Sequence, residues 1–134
     1  MITVTGKIVR GVGHFQRRMG SHPDAFRRTT GEDLFPGTIN VEIAQDLSIR
    51  RDFTLPGCDI GEPDRVFFFE VCRIEGVWAY RIRPFNLING RGGHGDSTLE
   101  IACSRQLPDI VPGREIEIAF FRDRPGTAAE GEKP

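Results

Sequence analysis

Arg65-Val66-Phe67-Phe68-Phe69-Glu70-Val71-Cys72-Arg73-Ile74, then Glu75-Gly76, then Val77-Trp78-Ala79-Tyr80-Arg81-Ile82-Arg83, is the stretch that decides the fold. β-Branched and aromatic side chains dominate both runs and suit a pleated surface. A short turn ending in glycine separates them, which predicts a hairpin. Working outward, Ile2-Thr3-Val4-Thr5-Gly6-Lys7-Ile8-Val9 alternates apolar and polar residues, the period of a half-buried strand. Thr38-Ile39-Asn40-Val41-Glu42-Ile43 puts Ile39, Val41 and Ile43 on one face and Thr38, Asn40 and Glu42 on the other. Further strands are expected over residues 49–55, over Leu99-Glu100-Ile101-Ala102-Cys103 and over residues 114–121. Residues 24–30 read as a short helix capped by Asp24, and 106–110 as a helical turn. The rest of 14–35 reads as a long loop, and loops of that length in compact domains often carry function. Six or seven short strands punctuated by Gly and Pro predict a mainly β barrel or sandwich.

Composition agrees. A chain of 134 residues suits a single domain. Gly and Pro account for 25 of them, and both disfavour helix interiors. The domain is expected over 1–121, followed by a polar tail, 122–134, expected to be disordered. Cys58, Cys72 and Cys103 form no C-x-x-C pair, which points to a reducing, cytoplasmic setting rather than a disulfide framework or zinc site. Cys72 and Cys103 lie in apolar runs and read as core. No apolar run approaches the ~18 residues of a membrane span. The net charge of −1 argues against a generic nucleic-acid partner. That neutrality is uneven. Residues 1–28 carry Lys7, Arg10, Arg17, Arg18, Arg27 and Arg28 against Asp24 alone, a net of +5, whereas 29–75 carry a net of −6. The basic segment is either a local anion site or scattered surface charge.

Three places concentrate chemistry. Gly11-Val12-Gly13 follows a strand, but Gln16 breaks the dinucleotide pattern, and no P-loop motif occurs. What remains is either a plain turn or one whose N–H groups cradle phosphate beside Arg17 or Arg18. Thr38 and Asn40 put two neutral oxygens on one strand face, which either meet solvent or serve a hard cation such as Mg²⁺. Residues 90–96, followed by Ser97, Thr98 and Glu100, gather flexible backbone, His94 and two carboxylates. Asp96 or Glu100 is a candidate general base towards a hydroxyl, the alternative being a surface loop and an exposed strand Glu.

Taken in order, these segments resemble the CTP-dependent riboflavin kinases of archaeal type. The resemblance spans residues 3–120. It rests on Gly6-Lys7-Ile8-Val9-Arg10-Gly11-Val12-Gly13, on Phe35-Pro36-Gly37-Thr38-Ile39-Asn40-Val41, on Arg83-Pro84, on Gly93-His94 followed by Leu99-Glu100-Ile101-Ala102, and on Leu107 with Val111-Pro112-Gly113-Arg114-Glu115-Ile116-Glu117-Ile118. It implies a small six-stranded cradle-loop β-barrel with short helical turns. It also implies transfer of the CTP γ-phosphoryl group to the riboflavin 5′-hydroxyl, giving FMN and CDP. On this resemblance Val12, Gly13, His14, Phe15, Gln16 and Arg17 line the CTP site, and Arg105, Gln106, Leu107 and Pro108 close over the nucleotide. Thr38 and Asn40 hold Mg²⁺. Glu100 meets the ribityl end of the flavin as the catalytic base, and Gly92 stands at a flavin contact. The expected partners are these small molecules, with no nucleic acid and no membrane, and the expected state is a monomer or weak homo-oligomer. A non-catalytic flavin- or nucleotide-binding barrel is the alternative. Gly92 and Pro108 favour it, because the family pattern has a hydroxyl and a basic residue there.

Overall fold

The computed structural model describes residues 1–11, 13–92 and 97–123, with the backbone alone at 91 and 92. In chain order the elements are β1 (Ile2–Val9), α1 (His14–Ser21), α2 (Pro23–Thr30), β2 (Ile39–Ile43), β3 (Phe53–Pro56), β4 (Arg65–Ile74), β5 (Val77–Asn86), β6 (Arg91–Gly92), β7 (Thr98–Cys103) and β8 (Glu115–Phe120). A 3-10 turn, Gly57–Ile60, joins β3 to β4. Six strands close into an antiparallel barrel in the order β4-β8-β1-β2-β7-β5, and β5 returns to β4.

The β4–β5 hairpin pairs residue by residue from Arg65 opposite Asn86 to Ile74 opposite Val77. Glu75 and Gly76 both take positive φ, the geometry that lets a two-residue turn match strand twist. The barrel interior holds Ile8, Val41, Ile43, Cys72, Ile74, Ala79, Leu99, Ile101, Ile118 and Phe120. The face of β2 expected to be apolar therefore lines the barrel, and Cys72 and Cys103 are buried as expected while Cys58 is exposed.

The other edge of β4 changes partner along its length. It pairs with β3 at 66–69 and with β8 at 72–74. Asp52 bridges the gap: its N–H donates to the Phe69 carbonyl at 2.9 Å, and its carboxylate accepts the Val71 N–H at 2.9 Å. Side-chain bonds thus replace ladder bonds there, and the strand expected over 49–55 starts only at Phe53.

A second core lies outside the barrel wall. Phe15 and Met19 from α1, and Ala25 and Phe26 from α2, pack on Phe67, Phe69, Tyr80, Ile82 and Ala102. Phe15 meets Phe67, and Phe26 meets Phe69, edge to face, with centroids 5.7 and 6.1 Å apart. These helices replace most of the loop expected over 14–35. Phe15 and Met19, four apart, form the buried stripe of α1. His22, not Asp24, is the N-cap of α2. Pro23 occupies its first turn, and Asp24 pairs with Arg27 on the helix surface. Residues 106–110 form no helical turn. Among the described residues no helix is long and apolar enough to cross a membrane.

Arg122, assigned to the tail from sequence, is folded against the barrel. Its guanidinium donates to the Ser48 carbonyl at 2.7 Å, and its Nε lies 3.1 Å from Glu70 Oε2. Glu70 is 0% exposed. Burial pushes its carboxyl up, while the Arg50 N–H and the Arg122 charge favour its ionised form. Removing one partner of a buried ion pair strands the other. Arg122→Met, and equally a chain ending at Phe121, is expected to lose about 3 kcal/mol in urea unfolding. A midpoint equal to that of the intact chain would return residue 122 to the tail.

Candidate functional site

The register of β2 on β7 brings the oxygen-bearing side chains together. Asn40 and Glu100 are direct partners across the pair, so both project from the outer barrel face. Thr38, two residues back on the same face, donates its hydroxyl to Glu100 Oε2 at 2.8 Å. Partial burial pushes the Glu100 carboxyl above its ordinary range. The Thr38 hydrogen bond and the Arg18 charge pull it back.

Two cavities flank this cluster. The first, about 510 Å³, opens at the barrel rim, with Phe35, Ile39, Leu107 and Ile110 as apolar walls and Gly13, Gln16, Arg105 and Gln106 as polar ones. The second, about 680 Å³, lies between α1 and the β2–β7 wall, and Glu100, Thr98, Pro84, His14, Arg17 and Arg18 line it. Arg10, Gly11 and Asn40 line both. At Gly11 a Cβ atom would stand 2.1 Å from Asn40 Nδ2, so any larger residue there would have to push that carboxamide aside.

α1 begins at Gly13, in left-handed conformation, with no side-chain cap and no acid in its first turn. Its first N–H groups therefore lack a side-chain acceptor, and the helix dipole leaves that end attractive to anions. Gly13 opens onto the first cavity and His14 onto the second.

The residues singled out from sequence divide between the two spaces. Gly13, Gln16, Arg105, Gln106, Leu107 and Thr38 line the first; His14, Phe15, Arg17 and Glu100 line the second; Asn40 lines both. Phe15 is nearly all buried in the helical core, so it forms floor rather than rim. Pro108 lies outside both cavities. Val12, His94 and Asp96 lie outside the described residues, and Gly92 is described only as backbone paired with Phe85.

Sequence reading missed Glu62 and Arg65, and gave Arg18 only a phosphate-side role. Arg18 instead grips the Glu62 carboxylate with two bonds of 2.7 and 3.0 Å. Its guanidinium lies over the rings of Phe15 and Phe67. The hydrogen bonds from Arg18, together with its charge, hold the Glu62 carboxyl below the usual carboxylate range. No local pattern announces a pair 44 residues apart.

Among the described residues no group of three or more His, Cys, Asp or Glu side chains is placed to hold a metal ion. Thr38 and Asn40 offer a different kind of donor set, neutral hard oxygens of the type Mg²⁺ accepts. Comparison with known protein families and with curated proteins finds no match to this chain.

Two substitutions test this geometry without any substrate. Thr38→Val removes a hydrogen bond to the ionised carboxylate, so the Glu100 pKa is expected to rise further in a ¹³C carboxyl titration. Gly11→Ala is expected to shift the Asn40 side-chain amide resonances while the barrel amides stay in place. An unmoved Asn40 signal would show that the close approach at Gly11 does not hold the carboxamide.

Proposed function

We propose that the protein is a CTP-dependent riboflavin kinase. The observation that carries this reading is the meeting of two cavities at Asn40, with the Glu100 carboxylate directly across the strand pair. The ordered sequence motifs support it as a resemblance. The half-apolar first cavity, with Arg105 and Gln106 at its wall, suits a nucleotide. The second, next to Glu100, suits the ribityl chain and ring of the flavin. Phosphates then lie along the uncapped start of α1, where backbone N–H groups and Arg17 face negative charge.

Thr38 and Asn40, with Glu100 beside them, are the residues that would hold Mg²⁺. When bound, the ion offsets phosphate charge. Glu100 orients the riboflavin 5′-hydroxyl and accepts its proton. The hydroxyl oxygen bonds to the γ-phosphorus as the bond from that phosphorus to the bridging oxygen breaks, and CDP departs. Asn40 keeps the two substrates in line, since it borders both cavities. The Glu100 carboxyl is raised by burial, and a base must be ionised to accept a proton. Activity is therefore expected to fall as pH drops through the titration of Glu100.

Incubation with riboflavin, CTP and Mg²⁺ is expected to yield FMN. Asn40→Ala is expected to abolish the product with no change in melting temperature. Glu100→Gln is expected to lower kcat by about 10²–10⁴. No FMN from any nucleoside triphosphate would retire the proposal. The second reading, a flavin- or nucleotide-binding module without turnover, is favoured by the position of Pro108 away from both cavities. It predicts thermal stabilisation by FMN and CDP in a protein that makes neither.

A further inference from the structure

The second cavity is unusually cationic for a space that would take a neutral flavin. Arg10, Arg17, Arg18 and Arg65 line it with His14, against Glu62 and Glu100. These arginines are not equivalent. Arg18 is bound by Glu62 through two hydrogen bonds, and Arg65 lies 3.8 Å from the same carboxylate. Both therefore share the single Glu62 carboxylate. No carboxylate among the described residues pairs with Arg10 or Arg17. Arg17 borders the second cavity alone. Arg10 borders both, next to Gly11 and Asn40, and among the described residues is the one side chain with an unmatched positive charge at the junction.

A phosphoryl group passing from nucleotide to hydroxyl must cross that junction. There its charge is spread over three equatorial oxygens, and the two-pronged guanidinium matches a pair of them. Arg10 follows directly on Val9, whose backbone is paired with Asn40, so strand register anchors the start of its side chain. We propose that Arg10 is a catalytic residue, a cation supplied within the chain that contacts the transferring phosphoryl group. This deepens the kinase reading and rests on it. The role is electrostatic. Arg10 neither gives nor takes a proton and leaves the bond-making described above unchanged.

The test compares the intact protein with Arg10→Ala, using riboflavin, CTP and Mg²⁺ with quantified FMN. The expected result is a fall in kcat of about 10³, with the KM for riboflavin unchanged and partial recovery on adding guanidinium ion. Arg10→Lys keeps the charge but not the fork, and is expected to lose about tenfold. It also serves if the alanine variant does not fold. If the parent protein makes FMN and both variants match its kcat, or lose only in riboflavin KM, the assignment of Arg10 is overturned and the kinase reading stands. If the parent makes no FMN, the kinase reading falls and the role of Arg10 falls with it.

Discussion

The ladder between β4 and β5 is the constraint on which the rest depends. Side chains alternate across a strand, so this one hairpin faces two hydrophobic environments at once. Cys72, Ile74 and Ala79 fill the barrel, whereas Phe67, Phe69 and Ile82 form the bed on which both helices lie. Without α1 and α2 those rings would stand in water. Fully burying each is worth roughly 1.5–3 kcal/mol. The hairpin thus places α1, and α1 with the β2–β7 wall encloses the second cavity. Arg18 reinforces the placement, because it lies over Phe67 while gripping Glu62 just before β4.

Polar geometry is then superimposed on this apolar frame. The β2–β7 register sets Asn40 against Glu100, and Gly11 brings the end of β1 against the same carboxamide. The segment at 105–112 is tied to β1 on its far side. The Gly113 N–H donates to the Ile8 carbonyl at 2.7 Å, and the Ile8 N–H to the Arg114 carbonyl at 2.9 Å. The junction of the cavities is therefore set by backbone bonds, while its charges are carried by side chains from β1, α1 and β7.

The strands were largely legible because a period of two survives in a single sequence. The two faces of β2 follow from alternation, and the full extent of β4 from its run of β-branched and aromatic residues. α1 was not legible. Its buried stripe is only Phe15 and Met19, and it lacks both a capping side chain and an acidic first turn. The region at 49–52 misled for another reason: its bonds to β4 run through Asp52 rather than along a ladder, which no periodicity reports. At the site, Thr38 and Asn40 could be paired from their spacing, but Glu100 lies on another strand and its register against them is a tertiary fact. The same holds for Arg18 with Glu62 and for the shared position of Arg10.

The ties at the end of the barrel have a bearing on how the chain folds. β1 pairs with β8 along Ile2 to Lys7, so the first strand of the barrel waits for the last. Arg122, lying beyond β8, then meets Glu70 in the middle of the chain. Contacts between residues so distant in sequence are slow to form. During synthesis β1 would leave the ribosome with one edge and its apolar face unmatched until residue 120 has emerged. The nascent protein is in that interval an open sheet, exposed to the edge-to-edge association that the closed barrel removes.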